Sequence, residues 1–167
     1  VSVPLKNLIE VLQLIFNQAK NSSITAAATT NSSNSNEIFT VNVISSGLGQ
    51  LVDHSPLPTL LGRSLLQSIP LLNPSSPLNA PFILSLLARL IPRKIWEAGK
   101  LWEGWIRCCR ALLPGSLSVL LQLPTGQLEK LLKESGSDLK VPLKEYLYNQ
   151  PPSVRNRYAS ILSALDK

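Results

Sequence analysis

The sequence predicts an all-α protein of stacked antiparallel helical hairpins, either a HEAT-like α-solenoid or an irregular helical bundle. Two observations lead to this prediction. Leucine and isoleucine recur at helical spacing along most of the 167 residues. The 13 prolines divide that pattern into short segments. Eight or nine helices of about 8 to 15 residues, joined by short turns, are typical of such stacks. No repeat of fixed period is visible, so both architectures stay open.

The first predicted helix begins after Pro4, and its apolar side chains from Leu5 to Ala19 share one face. The following segment, residues 21–36 (NSSITAAATTNSSNSN), has no charge and almost nothing large enough to pack. Burial there cannot offset the entropy of ordering the chain. We therefore expect one helical domain, residues 1–167, with a low-complexity flexible insert at 21–36.

Residues 38–52 are ambiguous. The β-branched stretch IFTVNVI could alternate as a strand, whereas Val41 and Leu48 can share one face of a helix. Gly47 and Gly49 weaken both interpretations. The pattern alone leaves strand and helix open.

Clearer helical spacing returns at Leu61, Leu65 and Ile69, which step by four until Pro70, where we expect the helix to stop. Residues 73–77 (NPSSP) predict a turn. Residues 82–91 are apolar on nearly every side and predict the most buried helix, which Pro92 ends or kinks. This apolar run is much shorter than the ~20 residues that cross a bilayer, so no membrane span is predicted.

The C-terminal part predicts four more short helices, the last of them capped by Ser153. They cover residues 117–123, 127–134, 142–148 and the segment after 153.

Residues 101–110 (LWEGWIRCCR) hold two of the three tryptophans and both cysteines. A metal or redox site, an aromatic platform and a packed core are all conceivable for this cluster. On a helical wheel the large apolar residues and both cysteines fall within an arc of ~160°. The opposite arc holds charged or small residues. The wheel therefore predicts a structural core made of Trp102, Trp105, Ile106, Cys109 and Leu113.

This helix lacks the residues that metal binding, redox pairing or catalysis would need. Zinc usually takes four ligands, and the single histidine, His54, lies some fifty residues away. Adjacent cysteines lack the spacing of a redox pair. No nucleophile elbow or phosphate-binding loop occurs either. We expect no metal, no cofactor and no enzymatic activity. For the tryptophans, core packing is favoured over a partner-protein groove or base stacking.

The chain is basic, with a formal net charge of +6 from 16 basic and 10 acidic side chains. On and beside the tryptophan helix lie Lys94, Lys100, Arg107 and Arg110, the candidate partner-binding residues. An acidic protein segment and RNA are the two active interpretations, beside ordinary solvated surface charge. Two adjacent cysteines and the lack of a secretory signal pattern predict a reducing compartment.

Two segments of this sequence resemble a known family. LLARLIPRKIWEAGKLWEGWIRCCR (residues 86–110) and LSVLLQLPTGQLEKLL (residues 117–132) closely resemble the C-terminal domain of the symplekin family, and residues 55–69 are also similar to it. Good resemblance covers about residues 53–132.

The resemblance implies a function that the residue patterns do not reach. It implies a nuclear, non-catalytic scaffold domain of pre-mRNA 3′-end cleavage and polyadenylation, at the C-terminal end of a longer protein. The implied partners are the C-terminal domains of the endonuclease of the cleavage and polyadenylation specificity factor and of its inactive paralogue. Cleavage stimulation factor is a further implied partner, and direct RNA binding is the alternative function.

Overall fold

The computed structural model describes residues 4–25, 33–72 and 79–165 of the chain. Over these ranges the protein is all-α, with ten α-helices, one 3₁₀ turn and no strand, as the sequence predicts. The 3₁₀ turn, Ile95–Glu97, precedes the fifth helix. The helices are α1 (Leu5–Thr25), α2 (Ser33–Asp53), α3 (Leu61–Leu71), α4 (Asn79–Leu90), α5 (Gly99–Ala111), α6 (Leu117–Leu120), α7 (Thr125–Glu134), α8 (Ser137–Tyr148), α9 (Pro152–Arg157) and α10 (Ala159–Leu165).

The helices pack mainly on their second neighbours along the chain. One layer is formed by α1, α3 and α5, and the other by α2, α4, α6, α8 and α10. Contacts of α2 with α1 and with α3 join the layers at the N-terminal end. Second-neighbour packing in two layers is the arrangement of an α-solenoid. The C-terminal end is less regular, because α10 contacts α7, α8 and α9.

The tightest helix pair is α3 with α5, and two glycines make this approach possible. A Cβ built on Gly104 would lie 2.9 Å from the Cα of Gly62, closer than real Cβ atoms come to another backbone. The two helices therefore touch backbone to backbone at this crossing.

Residues 38–52, which the sequence left ambiguous, are helical and belong to α2. Leu48 and Leu51 are fully buried, and Leu12 of α1 packs against Gly47. The two glycines thus do not break the helix, because close packing of α1 uses the space at Gly47.

The low-complexity segment lies partly outside the described residues. Its first residues, 21–25, continue α1, and its last, 33–36, begin α2. Residues 26–32 are not described, and neither is the expected turn at 73–77. A flexible insert and that turn stay predictions.

Prolines end the helices less strictly than the sequence predicts. Pro92 does follow the end of α4, but Pro70 lies inside α3, which continues to Leu71. Pro142 also lies inside a helix, because α8 begins at Ser137 rather than at the proline. Each proline removes one backbone hydrogen bond. In α8, the buried stripe of Leu139, Leu143 and Leu147 stabilises the helix on both sides of Pro142.

The last predicted helix is two helices, and Ser153 is not its cap. Pro151 occupies the N-cap position of α9 and Pro152 the first helical position, where a missing N–H costs nothing. The break between α9 and α10 falls at Tyr158. The Tyr158 hydroxyl donates a 2.8 Å hydrogen bond to the carbonyl of Leu121, which fixes the break against the segment after α6.

Candidate functional site

Helix α5 buries the face that the wheel selects, but the buried arc is rotated. Leu101, Trp105, Cys108, Cys109 and Leu112 are buried. The remaining apolar positions are only partly buried and pack at the edge of the core; they are Trp102, Ile106 and Leu113. At 100° per residue the arc is shifted by roughly 30° toward Gly104. The reason is the backbone contact of Gly104 with α3, which a wheel that counts only large apolar side chains does not include.

The two tryptophans of α5 are stacked on each other. Their ring centroids lie 5.1 Å apart and the planes are inclined by 14°. Trp105 is only 1% exposed, and its indole Nε1 donates a 3.1 Å hydrogen bond to the carbonyl of Leu87 in α4. Trp105 therefore offers no free ring face to a base, and it joins α5 to α4.

Both cysteines are buried free thiols. Burial raises the pKa of Cys108 to about 12. Burial also raises the pKa of Cys109 well above its ordinary value, and the neighbouring Cys108 adds to this effect. The thiolate is the form that attacks substrates or binds metals. At neutral pH both groups are protonated and act as small apolar side chains.

Two further findings concern metal and membrane chemistry. Throughout residues 4–25, 33–72 and 79–165, no three His, Cys, Asp or Glu side chains lie close enough to hold a metal ion. The ring of His54 instead makes a 3.0 Å contact from Nδ1 to the carbonyl oxygen of Pro56. None of the helices in these ranges is long and apolar enough to cross a membrane.

The four candidate basic residues are exposed, but they occupy two places. Lys100, Arg107 and Arg110 form a basic strip along the outer side of α5, and Lys94 lies ahead of the 3₁₀ turn. Arg107 pairs with Glu103 on the same strip. The Nζ of Lys94 lies 3.6 Å from a carboxylate oxygen of Glu97. Exposed pairs of this kind contribute at most about 1 kcal/mol, so a partner's carboxylate can replace either one.

The turn after α4 holds the neighbouring elements together through Arg93, which the sequence analysis did not single out. Its guanidinium donates to the carbonyl of Val52 and, over 2.8 Å, to that of His54, at the C-terminal end of α2. Lys94 next to it has a φ of 53°. Left-handed backbone is uncommon outside glycine and asparagine, and nothing in the sequence indicates it at a lysine.

A cavity of about 370 Å³ opens between the segment at Pro56 and the N-terminal end of α5. We call it the α5 cavity. Its apolar wall is formed by Pro56, Leu57, Ile95, Ala98 and Leu101. Three charged side chains lie at its rim. Those charged residues are Arg93, Lys94 and Glu97.

A second groove, of about 310 Å³, lies between α1 and α2. We call it the α1–α2 groove. Leu8, Val11 and Val43 line it, and its polar lining residues are Asn42, Ser46 and Gln50. No charged residue contributes to this lining. Elsewhere on α1, the apolar side chain of Leu14 is 63% exposed.

Comparison with known proteins connects this structure to one family. The family described as "Symplekin tight junction protein C terminal" has a sequence model that matches residues 1–135. No solved structure matches the chain significantly.

Proposed function

Because the chain belongs to the symplekin C-terminal family, we propose that it is a non-catalytic scaffold domain of pre-mRNA 3′-end processing in the nucleus. The match over residues 1–135 is the observation that carries this proposal. In the proposal, residues 1–167 form one domain, the C-terminal domain of a longer scaffold protein. The protonated, buried thiols of α5 support a structural rather than a catalytic role for its cysteines.

The proposed partners are the C-terminal domains of the cleavage endonuclease and of its inactive paralogue, with cleavage stimulation factor as a further contact. A stack of helices supports such a role, because it presents long faces with room for more than one partner. We assign the basic strip and Lys94 to partner binding. Their exposure and the net charge of +6 favour acidic partner surfaces.

A pull-down with the two purified partner domains tests this function. The full chain should retain both domains. The double variant R107E/R110E should weaken retention of at least one domain by about tenfold, because it reverses two charges of the strip. The matched control is K130E/K133E, which reverses two exposed charges on α7 and should bind like the unmodified chain. If neither domain binds the unmodified chain, the scaffold function is wrong.

Direct RNA binding is the second candidate function, and the net charge and the basic strip are the observations that favour it. Affinity for RNA falls steeply as salt rises, in proportion to the phosphates that the protein neutralises. A fluorescence titration with a uridine-rich oligonucleotide at low and physiological salt distinguishes the two functions. Submicromolar RNA binding together with failure of both protein domains would favour RNA.

A further inference from the structure

The α5 cavity combines an apolar wall with a surplus of positive charge. Ile95 and Leu101 are buried, so nearly all of the accessible apolar surface of the cavity belongs to Pro56, Leu57 and Ala98. Arg93 lies at the rim, and its partners in the described residues are two backbone carbonyls, which leave its charge unneutralised. Lys94 stands beside it, and Glu97 is the acidic member of the lining.

The N-terminal end of α5 adds to this positive potential. Ala98 is the N-cap residue and has no side chain that can accept a hydrogen bond from the first turn. That first turn contains no acidic residue, and it contains Lys100. Helix N-termini carry a partial positive charge, and a cation in the first turn is unfavourable there. A carboxylate brought to this point would offset both.

Lys94 is held in a conformation that its residue type disfavours. Its φ of 53° and ψ of 49° are left-handed, and no other non-glycine residue of the described segments has a positive φ. A glycine would adopt this backbone without cost. Compared with glycine, the lysine therefore adds a charge at the cavity rim but is less favourable for this backbone conformation.

We propose that the α5 cavity is a docking site for an acidic peptide segment of a partner protein. One leucine or phenylalanine side chain of that segment enters against Pro56, Leu57 and Ala98. Adjacent Asp or Glu side chains face Lys94, Lys100 and the N-terminus of α5. Charge complementarity favours an anionic occupant, and the lack of aromatic side chains in the lining, on which a base would stack, selects a peptide over RNA.

The proposal does not depend on the partner domains named above, because a synthetic peptide tests it. The probe is a ten-residue peptide with one phenylalanine between runs of Asp and Glu, titrated into the ¹⁵N-labelled full chain. Amide shifts should concentrate at residues 93–101. The uncharged α1–α2 groove is the internal control, and the amides of Val11 and Val43 should not shift. A peptide with alanine in place of the phenylalanine should bind at least about tenfold more weakly, because the apolar wall is left uncovered.

Lys94→Gly is the decisive variant, because it removes the charge and also suits the backbone. Its melting temperature should equal or exceed that of the unmodified chain. Its affinity for the peptide should fall by about three- to tenfold. Lys130→Gly removes an exposed charge on α7 and should leave the peptide affinity unchanged.

Three outcomes of the peptide titrations overturn the proposal: no shifts at residues 93–101, equal binding of the alanine peptide, or unchanged affinity of Lys94→Gly. A uridine decamer that binds these residues more tightly than the peptide also overturns it. The pull-down with the partner domains tests the proposed function separately, whatever the peptide titration shows.

Discussion

The side chain of Cys109 is completely buried in the core, so this position should tolerate less change than any exposed position of α5. We expect Cys109→Asp to place an unpaired charge in the core and to lower the free energy of unfolding by more than about 4 kcal/mol. Circular dichroism during heating would show no cooperative transition. Arg107→Asp puts the same side chain on the exposed side of α5 and should cost about 1 kcal/mol. Similar melting temperatures for the two variants would contradict the orientation of the helix.

The raised thiol pKa values predict a loss of stability in alkali. In the unfolded chain a cysteine ionises near its ordinary pKa of 9.0, whereas folding keeps Cys108 protonated to about 12. The unfolded state therefore loses protons first, and through this window the Cys108 thiol lowers the free energy of unfolding by at most ~1.4 kcal/mol per pH unit. Urea midpoints measured between pH 8 and about 10.5 should fall less steeply for Cys108→Ala than for the unmodified chain. Parallel slopes would show that the Cys108 thiol ionises alike in both states.

The helical periodicity predicts which side of α5 is buried, but it does not predict where the centre of the buried arc lies. Trp105 and Cys109 face the core because large or apolar side chains repeat along that side. Gly104 also faces a neighbouring helix, although a wheel assigns it to the exposed side. A glycine inside a helix is itself a signal of close backbone approach, since it otherwise costs stability.

At the level of elements, the crossing of α3 and α5 depends on its two glycines. Gly104→Ala would place a Cβ 2.9 Å from the Cα of Gly62, so the helices must separate. We expect a loss of about 1–3 kcal/mol, although alanine is the better helix former. Gly49→Ala in α2 is the matched control: nothing lies within 4 Å of its Cβ position, so it should stabilise the protein by about 0.5–1 kcal/mol. Chemical unfolding of both variants measures the difference, and a stabilising Gly104→Ala would show that the helices do not meet there.

Helix boundaries were harder to predict than helices. Local rules treat proline as a stop, yet Pro70 and Pro142 lie inside α3 and α8. Each removes a single backbone hydrogen bond, and the packing of neighbouring leucines outweighs that loss. At Tyr158 the continuous apolar stripe predicted one helix where the structure has two. A hydrogen bond from Tyr158 to the carbonyl of Leu121 stabilises the break between them. Such long-range contacts are not visible in a window of local sequence.

At the level of the whole molecule, the helices beyond the family match belong to the same core. The match ends at residue 135, but α8 contributes Leu139, Leu143 and Leu147, and α10 contributes Ile161, all fully buried. They cover apolar surface of α6 and α7. A chain ending at residue 135 should therefore lose its cooperative thermal transition and aggregate.

Calorimetry and size-exclusion chromatography of the shortened chain would test this prediction. Tyr158→Phe in the full chain is the control: it removes one hydrogen bond, worth about 1 kcal/mol, and should keep a single transition. If residues 1–135 melt cooperatively within a few degrees of the full chain, the C-terminal helices are an independent addition to the fold.

The candidate site could be predicted only in part, because its residues come from distant parts of the sequence. Composition and local pattern indicate exposed cations on α5. The α5 cavity, however, joins the segment at Pro56 to residues 93–101, some forty positions later. Arg93 bridges the same distance when it binds the end of α2. No spacing rule within a short window could bring these residues together.

The stacked tryptophans have a practical consequence for all of these measurements. Two indole rings at 5.1 Å and nearly parallel lie face to face, and their fluorescence depends on this packing. The stacking depends on the native geometry of α5 and on the hydrogen bond from Trp105 to α4. The protein therefore contains its own optical reporter, which detects a distortion of α5 without any added label.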